Sequence, residues 1–332
     1  MKLSIGIVGL PNVGKSTLFK ILTNQNINIA NYPFATIDPN IGIVYVPDQR
    51  LNALSKISKS QKIIPAIIEF YDIAGLVRGA YKGEGLGNQF LSHIKETQAI
   101  VVVLRVFKDN EIIHVESSVD PIRDFDILNQ ELVFKDLETV SSKIEKLERD
   151  SKSGDKNIKK NLAILQQVFD ELNNGNLTIK FKNETIVKEL NLLTAKKRIY
   201  LLNGKIEDVP KDLILKIKNL EADYLIYDLK QNPDISDLIK KAYQILDLIT
   251  FFTTGPNETR AWTILNGTKA EKAAGVIHSD FEKKFIRMEV VSFNNFILAG
   301  GWNEAKQKGL LKIEGRDYVV KDGDIVLVRH SA

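Results

Sequence analysis

Apolar positions change their rhythm several times along the chain. In the first third they form short unbroken runs, at 3–8, 41–46, 66–71 and 99–106, with the length and β-branched content of buried parallel strands. The segment 16–22 instead spaces its apolar residues at helical intervals. Further on, Val133, Leu137, Val140, Ile144 and Leu147 alternate steps of four and three, a polar turn follows at 151–155, and Leu162, Leu165, Phe169 and Leu172 make a second seam. Two such helices joined by a short turn predict an antiparallel helical hairpin. Strand-like runs return at 198–202 and 224–227, and a helix is expected over 235–248. At the end, strands at 260–265 and 285–291 flank a short helix at 269–276. The runs 318–320 and 325–328 flank Lys321-Asp322-Gly323-Asp324 as an expected hairpin.

This pattern predicts an α/β fold: a nucleotide domain over 1–120 and 196–247, a helical segment over 121–195, and mixed strands around one helix, a small β-grasp fold, over 248–332. A chain of 332 residues, 44% hydrophobic and 27% charged, has the size for more than one domain and the composition of a globular protein. The lack of cysteine excludes disulfides, thiol catalysis and cysteine-ligated zinc. No apolar run approaches the roughly 18 residues of a membrane helix. The chain opens directly on a strand, so a cytoplasmic protein without a leader is expected. The net charge of +4 permits a polyanionic partner such as RNA without requiring one.

The most specific chemistry lies between the first strand and the first helix. Gly9-Leu10-Pro11-Asn12-Val13-Gly14-Lys15-Ser16 fits G-x-x-x-x-G-K-[ST], the phosphate-binding loop of nucleoside triphosphatases. Backbone N–H groups and the helix dipole face the same anion, and Lys15 reaches the β- and γ-phosphates. Asn12, Val13, Gly14, Lys15, Ser16 and Thr17 are therefore the candidate nucleotide contacts, and the Ser16 hydroxyl is a candidate Mg²⁺ ligand. Asn12 is also a candidate K⁺ ligand, which would add positive charge near the transferring phosphate.

Downstream segments complete such a site. The loop Asn31-Tyr32-Pro33-Phe34-Ala35-Thr36-Ile37-Asp38-Pro39-Asn40 offers Thr36 to Mg²⁺ and Phe34 to the nucleotide. Asp72 ends the apolar run 66–71 in the position that holds Mg²⁺, and Gly75 lets the backbone approach the γ-phosphate. Leu76 follows, where familiar GTPases place a glutamine that orients the attacking water. Hydrolysis is then very slow, or another group positions the water. His114, beyond a strand end, is the candidate for that task, with an ordinary surface histidine as the rival reading. The glycine-rich run 79–87 reads as a switch loop.

Asn203-Gly204-Lys205-Ile206 stands where GTPases carry N-K-x-D. The guanine-reading carboxylate is replaced by Ile206, which argues against GTP. Asn203 and Gly204 are the candidate base-side residues, with Phe107 as an apolar neighbour. His278, Asp280 and Glu282 are close in sequence but spaced as in a loop, not a metal site. Lys152, Lys156, Lys159 and Lys160 cluster at the hairpin tip, as a solvated face or as a contact for RNA phosphates.

The runs G-L-P-N-V-G-K-S, N-Y-P-F-A-T-I-D-P-N, D-I-A-G-L-V-R-G-A, K-G-E-G-L-G-N and H-S-D-F-E-K-K-F-I-R, in that order, resemble the YchF family of Obg-like ATPases. The resemblance spans nearly the whole chain. It implies a translation-factor-class P-loop NTPase that uses Mg²⁺ and hydrolyses ATP rather than GTP. It further implies a coiled coil inserted in the nucleotide domain, a C-terminal TGS domain, and association with ribosomes and rRNA; a monomer is expected. The family shows leucine at position 76 and tends to show N-x-x-E at the base, whereas here Glu207 comes one residue late. The region after Tyr227 is also shortened. A nucleotide-gated binding protein with negligible hydrolysis, or a GTP-tolerant NTPase, are the alternatives.

Overall fold

The computed structural model describes residues 4–24, 40–73, 93–109, 118–151 and 155–331. Phe34, Thr36, Gly75, Leu76, the run 79–87, His114 and Lys152 lie outside the described residues. Contacts divide the chain into two compact units: 1–24, 36–42 and 69–235 in the first, and 25–35, 43–68 and 236–332 in the second.

Two six-stranded sheets organise the described residues. The first is built from β1 (Ser4–Val8), β2 (Ile41–Tyr45), β4 (Ile67–Asp72), β5 (Ala99–Arg105), β6 (Lys197–Asn203) and β7 (Asp223–Tyr227), in the order β2-β4-β1-β5-β6-β7. The pairings of β1 with β4 and β5, and of β6 with β5 and β7, are parallel. Every residue of β1 and β5 is buried, as unbroken apolar runs require of strands covered on both faces. Consecutive strands diverge to either side of β1, and such a reversal opens a crevice at the carboxyl ends of the strands. The phosphate-loop motif leaves β1 at that end and enters α1 (Lys15–Thr23).

Between β5 and β6 run α3 (Pro121–Asp150), α4 (Lys156–Asn173) and the short α5 (Thr185–Glu189), and α6 (Lys211–Asn219) connects β6 to β7. The Asp120 carboxylate accepts from the N–H groups of Ile122 and Arg123 and Pro121 opens the helix, a strong start signal. Val133, Val140, Leu147, Leu165 and Leu172 are buried in one cluster, and Leu137, Ile144, Leu162 and Phe169 pack against it. The predicted seams thus meet each other. Near their base the fully buried Asp136 carboxylate accepts from Leu193 N at 3.0 Å, Thr194 N at 2.7 Å and Thr194 Oγ1 at 2.6 Å.

The second unit holds α2 (Arg50–Ser58), β3 (Lys62–Ile64), α7 (Ser236–Ile245), β8 (Leu248–Thr254), β9 (Glu258–Leu265), α8 (Ala270–Ile277), α9 (Ser279–Lys283), β10 (Phe285–Ser292), β11 (Lys312–Glu314) and β12 (Asp324–His330). Its sheet runs β11-β10-β12-β8-β9-β3. Ala270, Ala273 and Ala274 of α8 pack with Phe251, Ile264, Met288 and Val326 in one core.

Several features differ from the sequence expectations: the stretch 278–282, expected as a loop, forms the helix α9 capped by His278, and helices at Phe293–Ala299 and Trp302–Gln307 join the one expected over 269–276. The helix expected over 235–248 ends at Ile245, and Leu248 opens β8, because Phe251 and Phe252 are fully buried in strand geometry. No hairpin joins 318–320 to 325–328. Instead β12 pairs antiparallel with β10 and parallel with β8, while Val319 makes an isolated bridge to Lys269. The turn itself forms, held by Asp324, which accepts from the Tyr318 hydroxyl at 2.7 Å and Lys321 N at 2.9 Å. Residues 43–68 also group with the second unit, through β3 lying parallel to β9 with Lys62 opposite Glu258.

Candidate nucleotide-binding site

A cleft of about 750 Å³ opens at the carboxyl ends of β1, β5, β6 and β7, a size suited to a nucleotide. Asn12, Gly14, Lys15, Ser16 and Thr17 line one side, with Phe107, Lys108 and Asp109 after β5, Asn203, Gly204, Lys205 and Asp208 after β6, and Asp228, Leu229 and Lys230 after β7. The sheet therefore brings most of the predicted contacts to one place.

The phosphate end is prepared for an anion. α1 has no side-chain cap and no acid in its first turn, which leaves its leading N–H groups for a ligand. Lys15 is 8% exposed and its Nζ donates to Leu10 O at 2.8 Å. Burial pushes its pKa down to about 8, opposed by the nearby Asp72 carboxylate. Burial likewise pushes Asp72 up, opposed by Lys15. Each charge is short of counter-charge, and a triphosphate with a divalent cation supplies both signs. The residues fit Mg²⁺ in this sense: Asp72 ends β4 beside Ile7, and the exposed Ser16 lines the cleft. Asn12, at φ 62°, also lines it, whereas Val13 is turned inward, fully buried.

The base end is braced through Asn203. Its Nδ2 donates to Val13 O at 2.8 Å, and its Oδ1 accepts from Leu229 N at 3.1 Å. The Asn203 carboxamide thus ties the phosphate loop to the connection after β7, and the residue also lines the cleft. Its backbone carbonyl accepts from Val106 N and Phe107 N. Glycine is required on both sides of this knot. A Cβ on Gly14, at φ 107°, would sit 2.4 Å from Asn203 Nδ2, and one on Gly204, at φ 149°, would sit 2.8 Å from Phe107 N.

Sequence reasoning missed Arg105. It is fully buried, donates to Asp109 O at 2.9 Å and to Phe107 O at 3.3 Å, and lies 4.4 Å from the centroid of the Phe107 ring. It shapes the loop that walls the base side. An arginine at the end of an all-apolar strand was the available signal. Ile206, at the guanine-reading position, is 71% exposed, and neither it nor Glu207 lines the cleft. Among the described residues the acids that do are Asp109, Asp208 and Asp228.

A family model described as "50S ribosome-binding GTPase" matches residues 4–135, and one described as "Protein of unknown function (DUF933)" matches 248–331. A Haemophilus influenzae protein named ribosome-binding ATPase YchF is 41% identical, with 100% of both chains covered. The chain belongs to the YchF family. A Bacillus subtilis relative of the same name is 41% identical over 100% of both chains, and one from Mycoplasma genitalium 42% identical over 97% of this chain and 98% of its own. The solved structure of the Schizosaccharomyces pombe YchF GTPase matches with a TM-score of 0.85 and 37% identity, covering 99% of this chain and 98% of that one.

Proposed function

We propose that this chain is a Mg²⁺-dependent ATPase switch that acts on ribosomes in the cytoplasm, hydrolysing ATP to ADP and phosphate at a slow intrinsic rate. The observation that carries the reading is the pairing of a desolvated Lys15 with an uncapped α1 N-terminus in a nucleotide-sized cleft. The absence of a carboxylate at position 206 favours ATP over GTP, and relatives named as ribosome-binding ATPases support both parts of the proposal.

In this mechanism Asn12, Val13, Gly14 and Thr17 surround the phosphates, and Lys15 neutralises charge on the β- and γ-oxygens as it develops. Ser16, Thr36 and Asp72 would hold Mg²⁺, which would polarise the transferring phosphoryl group when bound. Gly75 meets the γ-phosphate. His114 orients the attacking water in place of the glutamine that Leu76 replaces. Phe34, Phe107, Asn203 and Gly204 enclose the base, Asn203 also fixing the wall. Asn12 is also a K⁺ ligand in this proposal; equal turnover in K⁺ and Na⁺ buffers would remove that part. The chain divides functionally into the nucleotide domain at 1–120 and 196–247, an inserted coiled coil at 121–195 and a TGS domain at 248–332. Lys156, Lys159 and Lys160, exposed at the start of α4, meet rRNA phosphates.

Equilibrium binding of ATP and GTP with Mg²⁺, followed by single-turnover hydrolysis, tests the proposal. Preference for ATP and phosphate release that stops with Lys15→Ala are expected. GTP binding as tight as ATP would overturn the base assignment. Bound ATP that stays intact would leave a nucleotide-gated binding protein, the reading Leu76 also allows.

A further inference from the structure

The run from His278 to Lys284 has no part in the nucleotide cleft. In the second unit it borders another cleft, of about 450 Å³, with residues of β9 and the end of β12. On β9 the Arg260 guanidinium lies over the Trp262 ring, 4.1 Å from its centroid, and the indole N–H is fixed by donation to Thr253 Oγ1 at 2.9 Å. Across the cleft Phe281 and His330 stack, with centroids 4.5 Å apart and planes 21° from parallel. The exposed Lys284 and Asp280, the partly buried Glu258, and Ile277, His278 and Ser331 complete the lining.

These groups share a chemistry. Planar aromatic and guanidinium surfaces take a nucleobase of any identity by stacking. A lysine ammonium suits the phosphate. A carboxylate accepts from a ribose hydroxyl or an exocyclic amine. An acidic peptide would satisfy Lys284 but would leave the stacked rings and the Arg260 plane unused. We propose that this cleft binds one nucleotide unit of single-stranded RNA, the base lying against Arg260 and His330 and the phosphate against Lys284. The site is separate from the nucleotide cleft, and the proposal does not depend on ATP hydrolysis.

The test is fluorescence anisotropy of a labelled hexa-adenylate RNA titrated with the full-length protein. Saturable binding is expected, weakened about tenfold by His330→Ala and by Lys284→Glu, in keeping with loss of one stacked base or one phosphate contact. Both side chains are exposed, so the fold survives their replacement. Absence of binding, or affinity indifferent to both substitutions, overturns the proposal. An RNA signal lost in Lys15→Ala would belong to the nucleotide cleft and overturns it too. AMP competing as well as the hexamer would assign the cleft to a free mononucleotide. A hexaglutamate peptide binding more tightly through the same two side chains would assign it to a protein partner. Either result overturns the RNA reading.

Discussion

Two lysines of the first unit, Lys15 and Lys196, are each 8% exposed, and burial pushes both down to about 8. Their surroundings separate them. Lys196 Nζ donates to Thr97 O and to Lys95 O and does not line the nucleotide cleft, with Asp136 as the favourable charge and Lys95 as the unfavourable one. Lys15 donates to its own loop and lines an open cleft with Asp72 nearby. The same desolvation thus serves a structural joint in one place and a ligand site in the other. A lowered lysine pKa does not by itself mark function; an open path to a counter-charged ligand does. Arg105 is an intermediate case, a buried cation spent on backbone carbonyls that belong to the cleft wall.

The comparison can be broken at its strongest point first. Lys15→Ala is expected to weaken ATP binding by roughly a hundredfold or more without lowering the melting temperature, since it removes a charged contact and a desolvation penalty together. Calorimetry with a thermal melt reads both, and a large drop in stability would make Lys15 structural as well. Next comes pH. Because ATP restores the counter-charge, binding is expected to take up a proton near pH 8.5 and to weaken about tenfold from pH 7 to 9. Titrations in buffers of different ionisation enthalpy measure the uptake. Lys15→Ala should abolish it and Lys196→Met should leave it in place.

Stability carries the opposite sign. Both lysines hold a proton more weakly folded than unfolded. Between pH of about 8 and the ordinary lysine value of 10.5 the unfolded chain binds more protons, so their contribution makes stability rise with pH; below about 8 both states are protonated and this slope vanishes. Denaturant titrations across that window should show the rise, reduced in either lysine variant.

A smaller effect is expected from Arg105→Lys, which keeps the charge but loses the two-carbonyl geometry. KM for ATP should rise about fivefold with kcat nearly unchanged, because the base wall and not the phosphate end is disturbed. An equal fall in kcat would place Arg105 in the chemical step. The smallest effect on ligand belongs to Lys196→Met. ATP affinity should stay within about twofold, while stability changes by about 1 kcal/mol, the lost hydrogen bonds being offset by relief of a buried charge. A clear loss of ATP affinity would erase the distinction between the two lysines.

The phosphate loop, the parallel strands and the helical seams were legible because each depends on neighbours within a few residues. A glycine-bounded loop needs only its flanking strand and helix, and a heptad seam repeats every turn or two. Asn203 was legible as a cleft residue, but the partners of its carboxamide, Val13 and Leu229, lie far from it in the chain and were not. The absent hairpin near the C-terminus has the same cause. The turn residues were correct, yet β12 gains more by pairing with β8 and β10 than with the segment just before it.

By itself the sequence determined the chemistry available: an anion-binding loop with Lys15 and Ser16, an acid at Asp72, no guanine-reading carboxylate at position 206, and two amphipathic helices. The tertiary structure decided how residues distant in the chain share it. It set Asn203 as a brace, Arg105 as the support of Phe107, β3 beside β9, and the Phe281 and His330 rings across from Arg260. Those outcomes depend on which strands become neighbours, and that is settled by burial of apolar surface summed over the whole sheet. Local pattern records the propensity of each strand and leaves its partner open.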